Sequence, residues 1–92
     1  PITVEAAKGI IYVIPNQLYV DKLLEKQDFL FRVNTPLQEA TIIIEKDGML
    51  LKTIQKKHLA PSEMEKVTLK KEELEGIRGR LSFRIFAKGE TV

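Results

Sequence analysis

The chain has 92 residues, a length that fits one domain built on a single hydrophobic core. Hydrophobic residues make up 43% and charged residues 30%, which indicates a folded protein and not a disordered segment. The absence of cysteine excludes disulfides and thiolate metal sites. Residues 1–45 have four basic and six acidic side chains, and residues 46–92 have eleven and seven, an asymmetry well short of the basic stripe of a nucleic-acid binder.

The first part of the chain predicts short strands. Runs rich in β-branched residues cover 2–6 and 10–14, and a brief strand is predicted over 18–20. Residues 21–28 are polar at both ends and are interpreted as a connection, anchored by Leu23 and Leu24.

The middle of the chain contains the clearest pattern. A strand over 29–34 alternates large apolar and polar residues, and Pro36 ends it. A hairpin follows, with strands over 40–46 and 49–57 joined by Asp47-Gly48, the sequence of a type I′ turn.

The hairpin also has a predicted register, in which Lys46 pairs with Met49. Ile44 then lies opposite Leu51 and Ile42 opposite Thr53 on the core side of the sheet. On the other side the predicted pairs are Glu45 with Leu50, and Ile43 with Lys52.

Two interpretations are open for residues 64–69. Ser62 and Glu65 match a capping box that would begin a longer helix. The alternation of residues 65–69 instead favours a strand, followed by one helical turn over 70–75, and a last strand is predicted over 80–86. The favoured fold is all-β, an immunoglobulin-like or fibronectin-like antiparallel β-sandwich of six or seven strands.

No residue pattern in the sequence predicts a catalytic, cofactor-binding or metal site. His58 is the only histidine and has no Gly-x-Ser-x-Gly elbow or cysteine to act on. The glycines form neither a GxGxxG fingerprint nor a P-loop, and the acidic residues do not have calcium-loop spacing. We therefore predict that residues 56–64, KKHLAPSEM, form a corner between two strands.

Three segments resemble one family. They are "GIIYVIPNQL" at 9–18, "LFRVNTP" at 30–36 and "KKHLAPSEMEKVTLKKE" at 56–72, and together they span most of residues 9–70. These segments resemble the C-terminal β-rich domain of bacterial FAD-dependent pyridine nucleotide (NAD(P)H) oxidoreductases. The resemblance implies a parent flavoenzyme that binds FAD and NAD(P) in other domains, with no flavin-binding residue in this chain.

The resemblance predicts a non-catalytic accessory domain that contacts the dinucleotide-binding domains of the parent chain or a second subunit. Residues 1–92 would then be one β-sandwich domain excised from a longer flavoenzyme, in agreement with a chain that begins at Pro1. Lys56, Lys57 and His58 are the candidate interface residues.

Two alternatives remain open, a free-standing immunoglobulin-like adhesion or carbohydrate-binding module and a small basic nucleic-acid-binding β domain. We expect neither nucleic acid nor membrane as a partner, since the longest apolar run, 10–14, is too short to span a bilayer. The lack of cysteine and of a secretion leader predicts a cytoplasmic location.

Overall fold

The computed structural model describes residues 1–89 of the chain. Within this range eight strands, one short helix and one 3-10 turn follow one another along the sequence. They are β1 (Ile2–Ala6), β2 (Ile10–Ile14), β3 (Gln17–Leu18), the 3-10 turn (Val20–Lys22), β4 (Lys26–Val33), β5 (Leu37–Lys46), β6 (Met49–Leu59), β7 (Glu65–Lys70), α1 (Lys71–Leu74) and β8 (Arg80–Phe86).

The strands of residues 1–89 form two sheets. A five-stranded sheet has the order β3-β1-β8-β5-β6, and a three-stranded sheet has the order β2-β4-β7. This confirms the predicted mostly β fold. Two details of the prediction are wrong. The strands number eight and not six or seven, and the brief strand predicted over 18–20 is observed as the two-residue β3 (Gln17–Leu18). β1 runs parallel to β8, an arrangement that is possible because no hairpin joins these two strands.

The two sheets face each other across one apolar core. The rings of Phe29 and Phe31 on β4 lie with their centroids 5.3 and 6.2 Å from that of Phe83 on β8, and all three side chains are fully buried. The alternation predicted for 29–34 and the last strand predicted over 80–86 are thereby confirmed. Aromatic pairs at such distances contribute beyond the area that they bury, so this trio is the centre of the core.

Gly9 lies where the chain passes from β1 in the first sheet to β2 in the second. Its φ of 87° is a conformation that residues with a side chain rarely adopt, and a Cβ added there would lie 3.2 Å from Cβ of Ile85. The adjacent backbone is fixed by hydrogen bonds from the Ile85 N–H to the Lys8 carbonyl and from the Asn34 N–H to the Gly9 carbonyl. A glycine is therefore required at the crossing.

The β5–β6 hairpin confirms the predicted turn and corrects the predicted register. Asp47 and Gly48 have φ values of 49° and 84°, as a type I′ turn requires. The pairs Lys46–Met49 and Glu45–Leu50 are as predicted, but beyond them the register shifts by one residue. Leu51 is the extra residue of this β-bulge.

The bulge changes which residues of β6 face the core. Ile44 lies opposite Lys52 and not Leu51, and Ile42 lies opposite Ile54 and not Thr53. Ile42 and Ile44 are fully buried, so the predicted core side of β5 is confirmed although the partners are different. Two residues that lie directly opposite each other on neighbouring strands point to the same side of the sheet. Lys52, opposite the buried Ile44, therefore points toward the second sheet, as does every second residue after it on β6.

Asp47 also holds the segment that precedes β8. Its carboxylate accepts hydrogen bonds from the backbone N–H groups of Arg78 at 2.7 Å and of Gly79 and Arg80 at 3.0 Å each. These hydrogen bonds, that from Arg78 first, lower the pKa of the Asp47 carboxyl below its usual value of 3.8. One turn residue thus determines both the hairpin and the start of the last strand.

The open question about residues 64–69 is settled in favour of a strand. β7 pairs with β4 from Glu65 to Lys70, and the single helical turn α1 follows it. Glu73 Oε1 accepts the N–H of Lys70 at 2.9 Å, and Leu74 is fully buried in the core. The long helix that Ser62 and Glu65 could have begun does not form, because alternate β7 residues Val67 and Leu69 are needed in the core.

A small apolar cluster lies on the outer face of the five-stranded sheet. Ile43 and Phe86 are 5% and 6% exposed although they point away from the main core. The Phe86 ring is covered by the ammonium of Lys8 at 4.4 Å and the guanidinium of Arg84 at 4.9 Å from its centroid. Glu45 fixes Arg84 through a 2.9 Å contact between Oε1 and Nε. Cationic side chains therefore cover this face.

Candidate docking surface

An open groove lies on the outer face of the three-stranded sheet. It has a volume of about 730 Å³, a size usual for binding clefts. The segment 15–23 forms one wall, and β4 forms the floor. Most of the lining is apolar and is contributed by Ile14, Pro15, Leu18, Tyr19, Leu23 and Leu30. We call these residues, together with Lys22, Gln27, Asp28 and Lys66, the groove.

The floor of the groove follows from strand alternation. Phe29 and Phe31 point into the core, so Leu30 between them must point outward. Ile14 on β2 lies directly opposite Leu30, and Lys66 on β7 lies opposite Leu30 on its other side. The sheet therefore presents a row of two aliphatic side chains and one ammonium to solvent, and Ile14 remains 51% exposed.

The wall of the groove is fixed by its backbone and by two contacts with the body of the protein. The N–H groups of Lys22 and Leu23 donate to the carbonyls of Tyr19 and Val20 at 3.0 and 3.1 Å. The Leu23 side chain packs against the core, and its carbonyl accepts a hydrogen bond from Nζ of Lys71 at 3.0 Å. The wall is therefore an ordered element that keeps the groove open.

Positive charge surrounds the apolar floor. Nζ of Lys22 lies 5.0 Å from the centroid of the Tyr19 ring, and Lys66 has no ion-pair partner within residues 1–89. The one carboxylate in the groove, that of Asp28, accepts a hydrogen bond from the Thr68 hydroxyl at 2.6 Å. The groove thus has two ammonium groups and one carboxylate, and because the Thr68 hydroxyl is neutral the groove has one positive charge in excess.

Three segments of the sequence, 9–18, 30–36 and 56–72, meet beside the groove. Nε of Arg32 donates to the hydroxyl of Tyr12 at 2.9 Å, and Nη1 of Arg32 donates to the carbonyl of Pro61 at 3.1 Å. Tyr12 lies in the first segment, Arg32 in the second and Pro61 in the third. Neither acceptor is charged, so Arg32 adds a third positive charge to this face.

Leu24 contradicts its predicted role as an anchor. It is 93% exposed, whereas its neighbour Leu23 is partly buried against the core as predicted. The 3-10 turn before it fixes the direction of the chain, so only one of two adjacent leucines can reach the core. Leu24 instead extends into solvent at a shallow depression that is also lined by Glu25, Lys26, Lys70 and Glu72.

The predicted interface residues Lys56, Lys57 and His58 do not share one face. Nζ of Lys56 lies 3.8 Å from Glu65 Oε1, and Nε2 of His58 lies 3.7 Å from Glu63 Oε1. Lys57 points to the opposite side of β6 because side chains alternate along a strand. The predicted corner is confirmed, since the turn after Leu59 takes the chain from β6 in one sheet to β7 in the other.

Lys52 continues this row of contacts between the two sheets. Its Nζ lies 3.1 Å from Oε2 of Glu73 in the turn after β7. The hydrogen bond from the Lys70 N–H, with a smaller effect of Lys52, lowers the pKa of Glu73. Lys52 and Lys56 thus contact carboxylates on β7 and on the helical turn after it, whereas His58 contacts Glu63 in the turn that joins β6 to β7.

Two further observations concern residues 1–89 as a whole. They contain no group of three or more histidine, cysteine, aspartate or glutamate side chains arranged to hold a metal ion. None of their helices has the length and apolar character needed to cross a membrane. Comparison of the chain with protein-family models, with curated proteins and with solved structures found no match.

Sequence reasoning missed the groove, although one signal for it was present. In "FLFRV" the alternation assigns the apolar Leu30 to the solvent side, which indicates an exposed apolar position. Ile14 points outward because the register of β2 shifts between Ile10 and Tyr12, and alternation alone does not predict that shift. What the sequence could not show is that these positions are neighbours, because β2 and β4 are separated by the whole wall segment.

Proposed function

We propose that this chain is a non-catalytic docking domain of an FAD-dependent NAD(P)H oxidoreductase, and that it contacts its partner through the groove. The observation that supports docking is the apolar row of Ile14 and Leu30 on an outer sheet face with no covering element within residues 1–89. Exposed apolar surface next to charged side chains is typical of protein interaction sites.

The flavoenzyme part of the proposal is supported by the resemblance of the three segments, which meet at Arg32. FAD and NAD(P) would bind to the other domains of the parent chain, and the dinucleotide-binding domains would be the partner. The immunoglobulin-like or fibronectin-like type of the sandwich and a cytoplasmic location belong to the same proposal. Two packed sheets of short strands around one core are consistent with that sandwich type.

The flavin content and the mass of the native protein test this proposal. An antibody against residues 1–92 isolates it from its source, and acid release followed by fluorescence measures bound flavin. We expect one FAD per polypeptide and a mass greater than that of 92 residues. A native protein that contains no flavin would refute the flavoenzyme assignment.

Hydrogen exchange tests the docking contact itself. Peptides that contain Ile14 and Leu30 should exchange more slowly in the native protein than in the isolated chain. A peptide of β6 that contains Lys57 is the matched control, and its exchange should be unchanged. Equal exchange of the Ile14 and Leu30 peptides in both forms would show that the groove is not a contact.

A further inference from the structure

We infer that the groove binds an amphipathic α-helix whose apolar stripe is bordered by carboxylates. This inference rests on the proposed docking function and specifies the chemistry of the partner. It follows from the width of the apolar row, from the side chains at its two borders and from the charge that the protein leaves uncompensated there.

The width of the floor fits a helix. Ile14, Leu30 and Lys66 lie on three adjacent strands, directly opposite one another. Two strand spacings amount to about 10 Å. A helix with its side chains has a diameter of about 10–12 Å, so one helix lying on Leu30 would cover the row from Ile14 to Lys66.

The borders of the floor determine the charge of the helix. Lys66 lies on the β7 side, and Lys22 lies on the wall with its ammonium near Tyr19. A bound helix that brought lysine or arginine to these positions would place like charges together, and one that brought glutamate would form an ion pair on each side. Glutamates at i and i+3 or i+4 on the two sides of a leucine stripe meet this requirement.

The lining argues against nucleic acid as the occupant. Bases stack on exposed aromatic rings, but the floor is aliphatic and the Tyr19 ring has Lys22 close above it. Tyr12 is also engaged within the protein, because its hydroxyl accepts a hydrogen bond from Nε of Arg32. Aliphatic side chains next to ammonium groups instead match leucine and glutamate side chains.

Titration of the isotope-labelled 92-residue chain with synthetic peptides, followed by amide NMR shifts, tests the inference. The probe is a peptide of about 15 residues, long enough to form a helix, with leucine at helical spacing and glutamate on both flanks. Two control peptides have glutamine or lysine in place of glutamate. We expect the glutamate peptide to shift the amides of Ile14, Leu30 and Lys66 with a Kd below about 100 μM.

A charge-reversal variant distinguishes specific binding at the groove from nonspecific electrostatic attraction between the peptide and the protein. Lys22→Glu with Lys66→Glu should weaken binding of the glutamate peptide at least about tenfold, a change of about 1.4 kcal/mol. Lys46→Glu with Lys57→Glu makes the same change in net charge away from the groove, and it should weaken binding less than twofold, about 0.4 kcal/mol.

Four results would overturn the inference. They are equal binding of the glutamine or lysine peptide, shifts confined to residues outside the groove, equal weakening by both double variants, and tighter binding of an oligothymidine or of phosphatidylglycerol vesicles at the groove. Absence of peptide binding combined with flavin in the native protein would reject the acidic helix and leave the proposed function standing.

Discussion

At the scale of single residues, the structure separates side chains that stabilise the fold from those that are available for function. Phe83 contacts both aromatic rings of β4 and has no exposed surface. Asp47 is exposed yet accepts three backbone hydrogen bonds. His58 is 60% exposed and contacts only Glu63 among the ion-pair partners in residues 1–89. Burial, hydrogen bonding and exposure therefore lead to three different expectations for substitution.

Phe83→Ala should lower the free energy of unfolding by about 3–5 kcal/mol, because it leaves a cavity between the two sheets and removes two aromatic contacts. For a domain of this size that approaches the whole stability. Chemical denaturation measures the change, and Phe83→Leu, which retains most of the volume, should cost less. A Phe83→Ala variant with an unchanged midpoint would contradict the described core.

Asp47→Asn should destabilise the protein at neutral pH and lose this effect in acid. The folded-state pKa of Asp47 is lowered, so its contribution is present above the ordinary carboxyl pKa of 3.8 and is lost as the pH falls through the folded value. Asparagine retains the turn conformation, so the comparison isolates the charge. Melting curves from pH 7 to pH 2 should converge for the two proteins, and a difference that persists unchanged at pH 2 would contradict the role of the Asp47 charge.

His58→Gln should change the free energy of unfolding by no more than about 0.5 kcal/mol, as is usual for an exposed residue whose one ion-pair contact is long. EDTA should leave the melting temperature of the wild-type chain unchanged. Differential scanning calorimetry measures both effects. A fall of about ten degrees on addition of EDTA would show that the corner at His58 binds a metal.

At the scale of secondary structure, the strands could be predicted and their partners only in part. Alternation in "FLFRV" and the Asp47-Gly48 turn are local properties, so the strand and the hairpin were correctly predicted. The bulge at Leu51 brings Ile54 and not Thr53 opposite Ile42 on the core side, and the parallel β1–β8 pair joins distant segments. Neither is encoded by a nearby residue pattern. The groove could not be predicted for the same reason, because it depends on the pairing of strands that are separated in sequence.

The edge of β6 has its own protection. Within residues 1–89 this strand of 11 residues has a neighbour on one side only, and its lysines and its bulge oppose pairing with another chain. Gln55→Val with Lys57→Val should raise the average mass in analytical ultracentrifugation at about 100 μM, a concentration within the range where exposed strand edges associate. Thr41→Val with Lys46→Val on the central strand β5 should not, and an equal effect of both pairs would contradict edge protection.

At the scale of the whole molecule, the two outer faces differ. On the five-stranded sheet, Lys8 and Arg84 cover the Phe86 ring, whereas the three-stranded sheet leaves Ile14 exposed beside Leu30 and Lys66. The exposed apolar surface of the three-stranded sheet is consistent with the proposed docking function.

The isolated chain should bind neither FAD nor NADH. Its glycines form no phosphate-binding loop, and its one α-helix within residues 1–89, Lys71–Leu74, is a single turn. Titration calorimetry should detect no binding with a Kd below about 100 μM, which corresponds to about 5.5 kcal/mol. One-to-one flavin binding in that range would place the cofactor site in this chain and contradict the proposed accessory role.

The parallel pairing of β1 with β8 also determines how the molecule resists tension. The first and last strands of the described chain lie side by side, with Thr3 next to Arg80 and Ala6 next to Phe83. A force that pulls Ile2 and Phe86 apart slides one strand along the other, so the hydrogen bonds between them are strained together and do not open one at a time. Among them are the bonds from the N–H of Thr3 to the Gly79 carbonyl and from the N–H of Ala7 to the Phe83 carbonyl. Stretched along its chain, the sandwich is therefore loaded in shear.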